Sequence, residues 1–342
     1  MKAEHTLADA ARVLEIINGN WTTQVAGVAA ELGIADLLLE APLGADALAR
    51  AAGCESGAML RLLKAMTSLG LCVQNDDRTF ALTPAGALLR GDGGPSMRSW
   101  AIWSALCQWD TWGRMIESVR TGRSARQLAT GREGYAHLET DARAAGIFNR
   151  AMVELTGFVA DAVARAFDFC RFRRLVDVGG GHGELLLAIL ARHPAASGVV
   201  FDLPHAMDGA RVRAKSTGLA DRSRFEAGNF FDSTPAGDLY LLKSILHNWD
   251  DGRAAAILAR CRAAIEPDGR LLVIERLMPE RVTGAAHERT VIRGDLNMLV
   301  GLGGRERTRG EFVGLLHAAG FDCSEPVTID MGYSILEATA RA

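Results

Sequence analysis

The stretch LVDVGGGHGELLLAIL (175–190) carries an apolar run into Gly179, Gly180, Gly181 and Gly183, and a second apolar run out again. Glycine costs conformational entropy, so such a cluster marks a tight turn or a close approach of backbone to a ligand. The spacing is G-x-G-x-G, with Glu184 where a dinucleotide fingerprint needs its third glycine, and the Lys-Ser/Thr of a Walker loop is absent. A pyrophosphate favours backbone N–H groups without negative neighbours. Here Asp177 and Glu184 flank the turn, which suits a ligand with a cationic part. Asp202 follows in FDLP (201–204), where an acid can grip ribose hydroxyls. Asn229 and Phe230 follow in GNFF (228–231), where an amide can meet an adenine edge and a ring can stack on it. In this order, at the ends of successive apolar runs, they point to S-adenosyl-L-methionine, whose sulfonium carries the positive charge.

His247, in LKSILHNWDD (242–251), is the candidate base. Imidazole, with an ordinary pKa of about 6.5, suits proton abstraction near neutral pH, whereas a phenol ionises only near about 10. Taken alone, His247 is as readily structural as catalytic. Glu275 closes the run RLLVIE and is well placed by the same strand-end geometry. Glu306, in GGRERT (303–308), reads on its own as a surface ion pair among Arg305, Arg307 and Arg309. No His, Cys or carboxylate cluster at metal-ligand spacing is evident, so no metal is expected.

The elements that must position these residues follow from periodicity. From residue 172 short apolar runs alternate with helical stretches, which argues a parallel sheet with helices on both faces and ligands at the strands' carboxyl ends. Residues 1 to about 95 read as short helices, with Val13, Leu14, Ile16 and Ile17 forming one apolar stripe. Helical stretches at 44–53 and 56–70 precede LCVQNDDRTFALT (71–83), which reads as a hairpin. That is a winged-helix pattern. Its would-be recognition helix carries only Arg61 and Lys64, so an interaction or dimerisation role is expected rather than DNA reading. Residues 100–170, with Trp100, Trp103, Trp109 and Trp112, read as long joining helices.

The chain has 342 residues, 49 % hydrophobic and 23 % charged, with net charge −3, enough for two globular domains. No basic stripe that would release counterions from phosphates is present, so nucleic acid is not an expected partner. The start, MKAEHTLADAARV, lacks the apolar core of a signal peptide, and no apolar run approaches the roughly 20 residues of a membrane span. The six cysteines are scattered without a CxxC pair. A cytoplasmic protein with no membrane partner is expected.

The ordered motifs RTFALTPAG (78–86), FNRAM (148–152), VDVGGGHG (176–183), FDLP, GNFF, LKSILHNWDD, VIERLMP (273–279), DLNMLV (295–300) and GGRERT resemble the S-adenosyl-L-methionine-dependent O-methyltransferases of the plant caffeate/chalcone type and their bacterial secondary-metabolite relatives. The resemblance covers nearly the whole chain. It implies an α/β fold: a Rossmann-like methyltransferase domain preceded by a mostly α-helical winged-helix dimerisation domain, with boundaries at 1–98 and 99–342. It implies a homodimer formed through the N-terminal domain, whose pocket the partner chain partly closes. Carried over by motif, Gly179, Gly181, Asp202, Leu203, Gly228, Asn229, Phe230 and Lys243 bind S-adenosyl-L-methionine, leaving S-adenosyl-L-homocysteine as product. His247 becomes the general base, flanked by Glu275 and Glu306, and no metal takes part. Many relatives have Asp where this chain has Asn229; the Asn carbonyl can still accept from the adenine amino group.

For the acceptor, Trp103, Cys107, Phe148, Met152, Trp249, Asn297 and Met298 suggest a flat aromatic pocket with few charges. The expected reaction is methylation of a phenolic or enolic hydroxyl of a small aromatic metabolite, as in antibiotic pathways. The alternatives are N-methylation, hydroxylation or decarboxylation on the same fold, an NAD-dependent dehydrogenase, and an S-adenosyl-L-methionine-sensing regulator.

Overall fold

The computed structural model describes residues 6–91 and 93–341. They form two compact units, one comprising Met1–Trp109 with Gly146–Glu154, the other Asp110–Ala145 with Leu155–Ala342. The sequence boundary at 98 follows the order of the chain. Compactness instead groups 99–109 and 146–154 with the N-terminal helices.

In the first unit, Leu48, Leu63, Met59, Met66 and Phe80 form the core beneath the helices Ala45–Ala52 and Ser56–Ser68. Glu55 caps the second of these helices by accepting from the N–H groups of Gly57 and Ala58 (2.7 and 2.6 Å). The expected hairpin is β1 (Cys72–Gln74) and β2 (Phe80–Leu82), antiparallel, with a bridge from Phe80 to Leu43. The first helix, Leu7–Ile17, buries none of its residues: Val13, Leu14, Ile16 and Ile17 are each more than half exposed.

The second unit is built on β3 (Arg174–Val178), β4 (Ser197–Asp202), β5 (Ser223–Ala227), β6 (Gly237–Lys243), β7 (Ile265–Met278), β8 (Arg307–Thr308), β9 (Phe321–Cys323), β10 (Val327–Thr328) and β11 (Tyr333–Ala340). Their order is β10-β11-β7-β6-β3-β4-β5, with β8 beside β7 and β9 beside β11. The β7-β6-β3-β4-β5 portion is parallel, as expected. The sheet as a whole is mixed, because β11 runs antiparallel to β7. Helices cover both faces over two cores, one around Leu175, Leu186 and Leu239, the other around Val176, Tyr240 and Phe312. Chain order reverses between β4 and β6 on either side of β3, the switch point where such sheets take ligands.

The expectation of long helices over 100–170 needs correction. Short helices and a π-helical turn, Trp103–Cys107, occupy 98–130, and one long helix follows at Ala142–Ala166. Gly113, Gly122, Gly131 and Gly134 interrupt the stretch, the last three in left-handed conformation. No helix among the described residues is long and apolar enough to cross a membrane.

Candidate active site

The loop leaving β3 turns on Gly179, Gly181 and Gly183, with φ of +70°, +56° and +77°. Side chains rarely tolerate that region. The Gly181 N–H donates to Asp202 Oδ2 (2.7 Å) and the Leu203 N–H to Asp202 Oδ1 (2.6 Å). Asp202 therefore fixes the loop and still keeps a lone pair on each oxygen for hydroxyl donors. Burial pushes its carboxyl above the usual range, against the pull of those N–H groups. Gly228 donates to the Asp202 carbonyl (2.9 Å), and a Cβ there would overlap the ring of Phe201.

Asp177 lies buried under the same loop, where a Cβ on Gly180 would overlap its carboxylate. Among the described residues its Oδ2 has no hydrogen-bond partner, and burial pushes its pKa up to about 7. A buried carboxylate oxygen left unpaired beside a glycine loop fits a ligand that brings a positive charge. With Asp202 free to accept hydroxyls, these residues fit S-adenosyl-L-methionine. Glu184 does not share that role, contrary to the reading from sequence. Its carboxylate is held by two hydrogen bonds from Arg213 (both 2.8 Å), so its charge is compensated on the Met207–Ser216 helix.

Asn229 stands just past β5. Its Oδ1 accepts from the Phe231 N–H (3.0 Å), so the carbonyl expected to face adenine already holds the local turn, with one lone pair remaining. Phe230 packs edge-on to Phe231 and Trp249 (centroids 4.9 and 6.1 Å), and Trp249 packs on Phe231 (4.9 Å). Trp249, expected on the acceptor wall, thus belongs to the aromatic group around Phe230. Lys243 ends β6 and donates from Nζ to Thr156 Oγ1 (3.1 Å).

Four residues past β6, a short turn, Leu246–Asn248, presents His247. Glu306 Oε1 lies 3.0 Å and Glu275 Oε2 3.4 Å from its Nδ1. Both acids therefore address the same ring nitrogen, and Nε2 has no partner among the described residues. Glu275 is fully buried, and its Oε1 accepts from the N–H groups of Ile245 and His247 (3.0 and 3.3 Å). Burial holds the Glu275 carboxyl above its usual range. Burial alone would lower the pKa of His247. The facing carboxylates of Glu275 and Glu306 outweigh it and raise the imidazole to about 9. Glu306 is buried rather than on the surface, since its arginine neighbours turn elsewhere: Arg305 to Glu311, Arg307 to Asp251 and Arg309 to Glu325.

The expectation of no clustered metal donors also needs correction. His247, Glu275 and Glu306 are far apart in sequence, yet their donor atoms lie within 4.8 Å of one another. The remaining expected wall residues fall in both units. Trp103 and Phe148 pair in the first (centroids 5.1 Å), with Cys107 and Met152. Asn297 and Met298 lie in the second, on the Arg289–Gly301 helix, where Asn297 Oδ1 accepts from Trp112 Nε1 (3.1 Å).

Thr156, Tyr333 and Arg307 were not singled out from sequence. Tyr333 sits beneath Arg276 (4.1 Å) and Lys243 (5.3 Å), and its hydroxyl meets that of Ser244 (3.1 Å). Burial would raise its pKa, but the two cations lower it. YSILEATA (333–340) does not alternate apolar and polar residues, so periodicity did not mark Tyr333.

Residues 112–322 match the family model of an O-methyltransferase domain, and residues 14–92 that of an O-methyltransferase dimerisation domain. The chain is 38 % identical to the phenazine O-methyltransferase PhzM of Lysobacter antibioticus, over 95 % of each chain. It is 36 % identical to aclacinomycin 10-hydroxylase RdmB of Streptomyces purpurascens, over 94 % of this chain and 88 % of that one. Among solved structures, the O-methyltransferase of neocarzinostatin biosynthesis, in complex with S-adenosylmethionine and 2-hydroxy-5-methyl naphthoic acid, superposes with a TM-score of 0.78 at 32 % identity, covering 93 % of this chain and 96 % of that one. By its two matched domains, its mixed sheet and its glycine loop, the chain belongs to the S-adenosylmethionine-dependent O-methyltransferase family.

Proposed function

We propose that this enzyme methylates a phenolic or enolic hydroxyl on a small aromatic molecule, with His247 as general base and without a metal. The observation that carries this reading is the approach of both Glu275 and Glu306 to Nδ1, which leaves Nε2 to the acceptor. Bound S-adenosyl-L-methionine supplies a methyl group on a sulfonium, held by Gly179, Gly181, Asp202, Leu203, Gly228, Asn229, Phe230 and Lys243. The acceptor oxygen gains the methyl as its proton passes to Nε2, and the sulfur leaves neutral. A phenol near about 10 giving its proton to an imidazole near 9 loses about one unit, roughly 1.4 kcal/mol. An unperturbed imidazole would lose about 3.5 units, roughly 5 kcal/mol. The acids thus make His247 a stronger base than sequence alone suggested, and they hold it protonated at pH 7. Turnover therefore rises with pH toward about 9.

The acceptor class is read from the aromatic and sulfur side chains of Trp103, Cys107, Phe148 and Met152, and from the naphthoic acid held by the neocarzinostatin relative. The dimer forms through the N-terminal domain, where the matched dimerisation domain (14–92) begins within the last turn of the Leu7–Ile17 helix, whose apolar residues are exposed.

The test is His247→Asn assayed against a panel of phenols. Thermal stabilisation by S-adenosyl-L-homocysteine should persist, while turnover falls about 10²–10⁴-fold and its rise toward pH 9 disappears. Wild-type turnover should survive EDTA. Retained turnover in the variant removes the base assignment, and loss with EDTA returns the cluster to a metal. The hydroxylase among the relatives favours a second reading, hydroxylation on the same fold. Product mass separates the two, as a gain of one methylene or of one oxygen.

A further inference from the structure

Arg307 is fully buried, and each nitrogen of its guanidinium is spent. Nη1 donates to the carbonyl of Leu246 (2.8 Å), Nη2 to the carbonyl of Trp249 (2.7 Å) and Nε to Asp251 Oδ1 (2.9 Å). Those carbonyls bracket His247. Two residues back, the Arg305 N–H donates to the carbonyl of His247 itself (2.9 Å). Gly304 completes the approach, because a Cβ there would overlap that same carbonyl. On the other side, Glu275 accepts from the N–H groups of Ile245 and His247. The turn is therefore gripped by its amides from β7 and by its carbonyls from the 304–307 segment.

Glu306 sits inside that second grip, one residue before Arg307, and reaches His247 Nδ1 at 3.0 Å. We infer that Arg307 is a positioning residue for the reaction: its fork sets the spacing between the His247 turn and Glu306, and so keeps Glu306 on Nδ1. The inference rests on the reading of His247 as base. A fork is needed because the three acceptors diverge, and a planar guanidinium serves them at once where an ammonium cannot. The charge of Arg307 is matched by Asp251, so removing the fork leaves backbone carbonyls unpaired without stranding a carboxylate beside the imidazole. The ionisable groups that face His247 are Glu275 of β7, Glu306 and, from β11, Tyr333; Asp295 of the Arg289–Gly301 helix accepts from the Glu306 N–H (2.9 Å).

The experiment compares wild type, Arg307→Lys and Arg307→Met, with Glu306→Gln as reference. Folding is checked by stabilisation with S-adenosyl-L-homocysteine, whose proposed contacts lie elsewhere. The His247 ring is titrated by NMR, and kcat and KM are measured across pH. In wild type the ring should titrate near 9. In Arg307→Lys, as in Glu306→Gln, it should titrate closer to the ordinary 6.5, and kcat should fall about 100-fold, as expected for a misplacement near 1 Å, with KM little changed. Added guanidinium should restore part of kcat in Arg307→Met. A ring that titrates as in wild type in both Arg307 variants overturns the proposal, even if stability drops. A shifted titration with undiminished turnover supports the positioning and refutes the base assignment instead.

Discussion

The buried carboxyl of Asp177 is held in the fold at the expense of stability. Burial raises its pKa in the folded chain to about 7, from an unfolded value near 3.8. An acid raised in this way binds its proton more tightly when folded, so stability falls as pH climbs from about 4 through 7. Asp177→Asn removes that cost. Its Tm should exceed wild type by a few degrees at pH 8, with the gain shrinking toward pH 4. Its affinity for S-adenosyl-L-methionine should fall at the same time. Scanning unfolding at both pH values, with and without the ligand, checks this; a variant that melts lower at pH 8 contradicts it. His247 acts in the same sense. Its folded pKa of about 9 lies above the unfolded value of 6.5, so its contribution is complete below 6.5 and is lost as pH rises through 9. The wild-type chain should therefore melt progressively lower between pH 6 and pH 9.

At the scale of elements, the site depends on how closely two backbone segments approach. Gly304 lies against the carbonyls of His247 and Asn248 without room for a Cβ. Gly304→Ala should cost about 1–3 kcal/mol, as overpacking does, and should lower turnover more than it weakens binding of S-adenosyl-L-homocysteine. Gly252, at the start of the next helix, is less crowded: a Cβ there would meet only a side-chain oxygen of Asp250, at 3.4 Å, so Gly252→Ala is the matched control. Equal losses in both variants would show that the close approach has no special role. The loop after β3 follows the same logic from the opposite direction: its left-handed glycines and the Gly181 and Leu203 N–H groups hold Asp202 in one orientation before any ligand arrives.

For the whole molecule, the informative feature is a helix without a core. Leu7–Ile17 begins with a complete capping box at Thr6 and Asp9, so it is built to form, yet every residue in it is exposed. Burying Val13, Leu14, Ile16 and Ile17 offers about 1.5–3 kcal/mol per side chain. A second copy of the chain is the occupant that the matched dimerisation domain favours. The double variant Val13→Asp, Ile17→Asp should sediment as a monomer while still binding S-adenosyl-L-homocysteine. A variant that remains dimeric places the interface elsewhere.

What the sequence determined by itself is whatever is written in local order. The glycine turn after β3, the acid that ends β4, the GNFF that follows β5, the hairpin and the helix stops follow from residues within a few positions of each other, and periodicity exposes them. The helix, helix and hairpin order of the N-terminal unit was legible for the same reason, since each element is marked by its own periodicity and stops. The tertiary structure decided what depends on distant segments meeting. Glu306 among its arginines had no local sign that it would turn inward, because its burial comes from Arg307 reaching the Leu246 and Trp249 carbonyls. Glu184 looked available until Arg213 arrived from another helix. The antiparallel β11 brought Tyr333 to Lys243 and Arg276. The pKa of His247 was beyond reach of sequence altogether. It is set by the balance of burial against two carboxylates, and both effects depend on distance and on exclusion of water.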